Sequence, residues 1–124
     1  MKELLTMVAA VAIGSISPEI GPVAAESIQK LSGAQIRLKF AGMQLTDEMH
    51  WRYVYDRDGR LRSYSMGTKK VGKWAVEKDE LCLYLNEPDD GCYEVSRTGE
   101  RIEMKPVGLG SPLEGVLQTP ADRN

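Results

Sequence analysis

"WRYVYDRDGRLRSYS", residues 51–65, carries the pattern of a complete β-hairpin. From residue 49 onward the side chains alternate, which places Met49, Trp51, Tyr53 and Tyr55 on one face and His50, Arg52 and Val54 on the other. The "DRDGR" segment predicts a three-residue loop at 57–59, with Gly59 in the left-handed conformation. This loop predicts that the cross-strand pairs are Tyr55 with Leu61, Tyr53 with Ser63, and Trp51 with Ser65.

Short strand-like runs continue on both sides of this hairpin. They lie at residues 43–46, 73–77, 81–86, 92–97 and 100–106, and the last three turns read "EKDE", "EPDDG" and "RTGE". With the hairpin they make seven short strands and leave no room for a second long helix. The sequence therefore predicts a mainly β fold, an antiparallel meander that forms a small barrel or half-barrel.

One short helix is predicted before the strands, within "LSGAQIRLKFAG" at 31–42. Ser32 is a good N-cap and Gln35 completes a capping box, while Gly42 suits the position after the C-cap. Ile36 and Phe40 are four residues apart and give the helix one apolar stripe. A helix this short needs the sheet to support it.

The first 25 residues have the order of a secretory signal peptide. Lys2 precedes an uncharged stretch at 4–16, and the small residues Val23, Ala24 and Ala25 follow two prolines. The alternative is an amphipathic first helix of the domain, but no charge divides the apolar stretch into two faces. We therefore expect cleavage after Ala25, no membrane span after cleavage, and a periplasmic or secreted protein.

Cys82 and Cys92 are the only cysteines, and in an exported protein an even count predicts a disulfide. The predicted hairpin brings them opposite each other, and closing the short loop contributes about 3 kcal/mol. We expect no metal, because the sole histidine, His50, is distant and the acidic turn at 87–90 lacks calcium-loop spacing. We also expect no cofactor and no catalytic residue, because nothing marks His50 as the base of a nucleophilic cysteine.

The predicted mature chain holds one domain. The signal segment carries one of the 16 basic and two of the 18 acidic residues, so 15 basic and 16 acidic residues remain. This balance gives no reason to expect nucleic acid or an anionic membrane as a partner. We expect a single β-rich domain at 26–107 and, because residues 108–124 lack aromatics and mix Gly, Pro and polar residues, a flexible C-terminal tail.

Several of these segments together resemble small exported bacterial proteins. "YVYDRDGRLRSYSMG", "GKWAVEKDELCLYL" and "CYEVSRTGERIEM", preceded by "LSGAQIRLKFAG", are similar to domain-of-unknown-function families of alphaproteobacteria. That resemblance implies a periplasmic protein with a helix followed by a sheet, and it implies no catalytic residues. Through Gly72, Lys73 and Trp74 the chain also resembles lipocalin-like barrels, whose G-x-W motif opens the first strand rather than falling mid-chain.

Two faces of the sheet are candidate binding surfaces. On the outer face Arg52, Arg62 and Tyr64 are suited to stack on and pair with an anionic sugar or a protein carboxylate. The alternative is a solvated face whose charges pair with the acidic hairpin nearby. On the inner face Trp51 and Tyr53 lie opposite Ser65 and Ser63, which leaves either an apolar pocket that also includes Trp74 or a tightly packed core.

These observations favour a non-enzymatic periplasmic binding or interaction module whose partner is unknown, a periplasmic protein or an envelope glycan being the kinds of partner we expect. Two alternatives stay open. One is a lipocalin-like carrier of a small apolar molecule, with its pocket at Trp51, Tyr53 and Trp74. The other is an inhibitor of a cell-wall hydrolase.

Overall fold

The computed structural model describes residues 27–121, so the predicted signal segment and its cleavage site lie outside the described part. Within that part there is one helix, α1 (Gly33–Phe40), and a two-residue strand, β1 (Gln29–Lys30), precedes it. The other strands are β2 (Met43–Thr46), β3 (Trp51–Tyr55), β4 (Arg60–Ser65), β5 (Thr68–Glu77), β6 (Glu80–Tyr84), β7 (Gly91–Thr98), β8 (Arg101–Pro106) and β9 (Leu113–Gln118). No helix in residues 27–121 has the length and apolar character needed to cross a membrane.

Strands β2 to β9 form a closed eight-stranded antiparallel barrel. Each strand pairs with the next one along the chain, and β9 returns to pair with β2. Strand β1 adds to β7 at Ser96 and Arg97, outside the circle. The predicted mainly β meander is confirmed, and of the two predicted forms the structure has the closed barrel. Closure leaves the sheet no long unpaired edge.

Helix α1 closes one end of the barrel. Ser32 and Gln35 form the predicted capping box, and Gly42 follows the helix with a φ of 80°. The carboxylate of Asp79, in the β5–β6 turn, accepts a hydrogen bond of 2.7 Å from the backbone N–H of Gly33. Ile36 and Phe40 are fully buried, so the apolar stripe of the helix lies against the barrel interior.

The closed end is filled by aromatic rings in contact. Tyr55 meets Phe40 and Trp74 edge to face, with ring centroids 5.0 and 5.5 Å apart. The indole N–H of Trp74 donates a hydrogen bond of 2.8 Å to the backbone carbonyl of Asp56. At the opposite end, which we call the barrel mouth, the chain connections are residues 47–50, 66–67, 85–90 and 107–112.

The local predictions for the central hairpin and the cysteines are confirmed. Strands β3 and β4 pair in the predicted register, with Tyr55, Tyr53 and Trp51 opposite residues 61, 63 and 65. Gly59 has a φ of 94°, as the loop type requires. Cys82 and Cys92 are cross-strand partners on β6 and β7 and form a disulfide, with Cα atoms 3.9 Å apart.

The prediction of a flexible tail from residue 108 is wrong for its central part. Residues 113–118 form β9, which pairs with both β2 and β8 and completes the barrel. The segment "LEGVLQ" has no aromatic residue and a glycine at its centre, so its own β propensity is weak. Two neighbouring strands supply the hydrogen bonds that hold it in an extended conformation.

Strand β5 is also longer than predicted, because it begins at Thr68 instead of residue 73. Its first half, "TKKVG", shows little apolar alternation, which hides the strand in the sequence. It pairs with β4 along its whole first half, from Thr68 opposite Ser65 to Lys73 opposite Arg60. This pairing places Lys70 on the inner face, in phase with Trp74 and opposite Ser63.

Candidate functional site

The outer face of β2, β3 and β4 carries a pocket of about 460 Å³ near the barrel mouth, which we call the outer pocket. Its floor is polar, with Gln44 and Thr46 from β2 and Gln118 from β9. Arg52 and Tyr64 form one wall, and residues 48–50 and 66–67 form the rim. The pocket therefore combines amide, hydroxyl and guanidinium groups on one surface.

Arg52 is held in place inside this pocket by two contacts. Its guanidinium carbon lies 3.9 Å from the centre of the Tyr64 ring, and one of its N–H groups donates to Oε1 of Gln44 at 3.2 Å. Among residues 27–121 Arg52 makes no ion pair with a carboxylate. Its remaining donors are thus oriented and available to a ligand.

Arg62 lies on the same face but has a different role. It donates two hydrogen bonds to the carboxylate of Asp56, at 2.9 and 3.0 Å, and a third to the hydroxyl of Tyr64 at 3.2 Å. The hydrogen bonds to Asp56 raise the pKa of Arg62 above its ordinary value, against the effect of desolvation. Arg62 therefore orients Tyr64 and fixes the hairpin, while Arg52 lines the pocket.

The rim of the outer pocket is ordered by Asp47. One oxygen of its carboxylate accepts hydrogen bonds from the backbone N–H groups of Met49, His50 and Trp51, and the other contacts Nδ1 of His50 at 2.9 Å. Desolvation opposes ionisation, but these hydrogen bonds lower the pKa of Asp47 well below its usual range. The imidazole of His50 is exposed at this rim, as the hairpin pattern predicts.

The predicted aromatic pocket at Trp51, Tyr53 and Trp74 is not formed as one cavity. Trp51 and Tyr53 are neighbours, with ring centroids 5.5 Å apart, but Trp74 packs against Tyr55 in the filled closed end. The three residues border three different cavities: Trp51 borders the outer pocket, Tyr53 a cavity at the barrel mouth, and Trp74 a separate cleft that also includes Tyr84. The rings are separated because they lie at different heights along the barrel axis. Trp51 and Tyr53 are in the half of β3 near the mouth, whereas Trp74, paired with Leu83, lies nearer the closed end.

The barrel mouth holds a polar cavity of about 350 Å³, which we call the mouth cavity. Its walls are formed by Tyr53, Ser63, Ser65, Thr68, Lys70, Glu87 and Asp89. The ammonium group of Lys70 forms an ion pair with the carboxylate of Glu87 across this opening. Burial, together with the carboxylates of Asp89 and Glu87, raises the pKa of Tyr53 to about 12, so its hydroxyl keeps its proton at neutral pH.

Sequence reasoning misses the charged part of this cavity. In the sequence Lys70 belongs to a basic run, and Glu87 and Asp89 belong to an acidic turn. The signal that identifies Lys70 is its spacing of four from Trp74, which puts both on one face of an extended strand. No comparable signal exists for Glu87 and Asp89, because the path of a loop over a barrel depends on the whole fold.

The disulfide prevents one group of neighbouring side chains from binding a metal ion. Glu77, Cys82 and Cys92 are the one group of potential ligands that lie close together in the described residues. Because the two sulfur atoms are bonded to each other, they are not available as thiolate ligands. A lone carboxylate is left, which is not a metal site.

Comparison with known proteins adds no relative from which a role could be transferred. No family model, no curated protein and no solved structure matches the chain significantly. The functional argument therefore depends on the geometry of the outer pocket and the mouth cavity.

Proposed function

We propose that this protein is an exported, non-enzymatic binding module that takes a carboxylate-bearing ligand of the cell envelope in the outer pocket. The ligand class is an anionic sugar or a peptide carboxylate. Export is supported by the signal-like first 25 residues and by the disulfide, since disulfides persist in oxidising compartments. The single observation that carries the binding proposal is that Arg52 is held in place in the outer pocket and makes no ion pair within residues 27–121.

Arg52 is preorganised for a carboxylate. A guanidinium presents a planar set of donors that matches the two oxygens of a carboxylate. Stacking on Tyr64 and the hydrogen bond to Gln44 already restrict this side chain, so ligand binding loses less conformational entropy. No acidic side chain within residues 27–121 forms an ion pair with it, although Glu48 lines the same pocket, so its donors remain for the ligand.

The lining residues define the rest of the ligand. The amide of Gln44 donates a hydrogen bond to Oε1 of Gln118 at 3.3 Å, and the amide of Gln118 donates to the carboxylate of Glu48 at 2.7 Å. Amide and hydroxyl groups at the base of the pocket suit a sugar ring or a peptide backbone. The carrier of an apolar molecule has less support, because the mouth cavity is lined by hydroxyl and charged groups that such a ligand would leave unpaired.

The test compares two sugars that differ by one lactyl ether group, which carries the carboxylate. N-acetylmuramic acid and N-acetylglucosamine are titrated into the purified protein by isothermal calorimetry. We expect the acid to bind roughly ten- to a hundred-fold more tightly than the neutral sugar, because a charge-assisted hydrogen bond contributes about 1.5–3 kcal/mol. The Arg52→Ala variant should lose this difference and keep its thermal midpoint.

A matched control comes from the same hairpin. Arg60 lies on β4, is exposed, and is not part of the outer pocket. Arg60→Ala should therefore bind N-acetylmuramic acid as the unmodified chain does. Equal affinity for the two sugars, or an unchanged preference in Arg52→Ala, would contradict the proposal.

A further inference from the structure

We propose that the mouth cavity is a second, independent binding site, and that it takes a small polyhydroxylated molecule of monosaccharide size that is neutral or carries an amino group. The site is formed by the hydroxyls of Ser63 and Tyr53, with Ser65 and Thr68 beside them. It differs from the outer pocket in position, in every lining residue except Ser65, and in the charge of the ligand it accepts.

The hydroxyl of Ser63 is the primary observation. Ser63 is only 6% exposed and its side chain lines the cavity. Within residues 27–121 its side chain makes no hydrogen bond. Buried polar groups in native proteins nearly always have a partner, and one left without a partner costs free energy. A ligand hydroxyl would supply that partner.

The position of Ser63 explains why space remains beside it. Its cross-strand neighbours on the inner face are Tyr53 on β3 and Lys70 on β5. A serine between two long side chains leaves room that a larger residue would fill. The resulting volume of about 350 Å³ lies within the range of small-molecule sites, roughly 300–1,000 Å³.

The hydroxyl of Tyr53 adds a second group with free capacity. No hydrogen bond from this hydroxyl to another group in the described part of the chain is present. Because the phenol stays protonated, it can donate one hydrogen bond and accept another. Together with Ser63 and Thr68, it presents the mixed donors and acceptors that sugar hydroxyls require.

The charges at the mouth select against acidic ligands. Lys70 is neutralised by its ion pair with Glu87. The carboxylate of Asp89 makes no ion pair within residues 27–121, so the lining carries a net negative charge. An anionic sugar would be repelled, whereas a neutral sugar would not be and an amino sugar would gain an attraction.

The experiment uses glucose, glucosamine and glucuronate as probes in calorimetric titrations. We expect glucose and glucosamine to bind, with glucosamine at least as tightly, and glucuronate to bind at least roughly ten-fold more weakly. Ser63→Ala should weaken glucose binding roughly five- to ten-fold. Ser63→Val should abolish glucose binding, because it replaces the hydroxyl with methyl groups that narrow the cavity beside it. If the valine variant does not fold, the result for Ser63→Ala decides.

A stability measurement separates a ligand-binding hydroxyl from a structural one. Removing an unpaired buried hydroxyl should leave the melting temperature of Ser63→Ala unchanged or raised. A decrease of more than about 5 °C would show a protein partner and overturn the proposal. Ser96 faces outward on β7, next to the buried Val95, so Ser96→Ala serves as the control with unchanged binding.

The two binding proposals can be rejected independently of each other. Arg52→Ala should leave glucose binding unchanged, and Ser63→Val should leave the Arg52-dependent preference for N-acetylmuramic acid unchanged. Absence of binding by all three probes would show that the mouth cavity holds only water and would reject this site alone. Preferential binding of glucuronate would reject the charge argument.

Discussion

Gly33 occupies the first turn of α1, where the backbone of the β5–β6 turn approaches most closely. A Cβ atom at this position would overlap the carbonyl oxygen of Lys78 and would lie 3.3 Å from Val76. The backbone N–H of Gly33 also donates its hydrogen bond to Asp79 in the same turn. The residue therefore joins the helix cap to the closed end of the barrel.

Gly33→Ala should destabilise the protein by roughly 1–3 kcal/mol, because the helix must move away from the turn. Helix propensity alone predicts the opposite sign, a gain of up to about 1 kcal/mol. Denaturant unfolding followed by circular dichroism measures the difference. Ala34→Gly, at an exposed position of the same helix, is the control, with a loss of about 1 kcal/mol. A stabilised Gly33→Ala variant would show that the approach is not tight.

Arg52 and Arg62 show why single side chains resist assignment from sequence. Both lie on the outer face with Tyr64, as the alternation predicts. Only the fold brings Asp56 within 2.9 Å of Arg62 and leaves Arg52 beside Gln44. The partner of each arginine depends on side-chain geometry at the end of a hairpin, which spacing alone does not encode.

The disulfide covalently links strands β6 and β7. Cys82 is fully buried, and the bond joins two directly opposite residues ten positions apart. It restricts the unfolded chain near the 85–90 loop, whose backbone N–H groups at Leu85, Asn86 and Glu87 donate to Asp90. The bond therefore supports both the strand pair and the loop that forms part of the mouth cavity.

Reduction of this disulfide should lower the free energy of unfolding by about 3 kcal/mol, the chain-entropy value for so short a loop. The expected change in melting temperature is roughly 10–20 °C. Thermal melts with and without dithiothreitol measure it. The double variant Cys82→Ala and Cys92→Ala should melt low in both conditions, and a reductant effect on that variant would point to another cause.

Strands β5 and β9 explain most of what strand prediction misses. Both have segments with weak alternation. Strand β9 lies between two partner strands, whereas the first half of β5 is held by its continuous pairing with β4 alone. A strand with two neighbours forms hydrogen bonds on both edges, so the sheet compensates for low propensity. Composition is therefore a poor predictor of strands in a sheet that closes on itself.

Buried tyrosines should make the barrel sensitive to alkali. Burial raises the pKa of Tyr53 to about 12, with Asp89 adding to the effect, and burial also raises the pKa of Tyr55 and of Tyr93. In the unfolded chain a tyrosine titrates near 10. The folded state thus holds these protons more tightly, and the corresponding stability is present below pH 10 and lost as pH rises through 12.

The free energy of unfolding should therefore be nearly constant from pH 7 to 9 and should fall above pH 10, by at most ~1.4 kcal/mol per pH unit for each tyrosine. Urea titrations at pH 8, 9, 10 and 11 measure the slope. Tyr53→Phe should give a shallower decrease because one titrating group is removed. The same slope in both proteins would mean that Tyr53 titrates normally.

The elements that depend on neighbouring residues follow from the amino-acid sequence alone. The capping box joins residues three apart, the hairpin register follows from a three-residue loop, and the disulfide joins strands linked by one turn. In each case the interaction energy comes from groups close together along the chain, so spacing and residue type are sufficient to predict it.

Barrel closure and the two candidate sites depend on contacts between distant parts of the chain. β2 meets β9 across more than seventy residues, and the mouth cavity combines Ser63 with Lys70 and the 85–90 loop. Such contacts depend on the twist and closure of the complete sheet, which fix where each strand ends and what its side chains face. Local sequence patterns predict the individual strands. The arrangement of the strands is selected by the pairing and packing of all eight in the closed barrel.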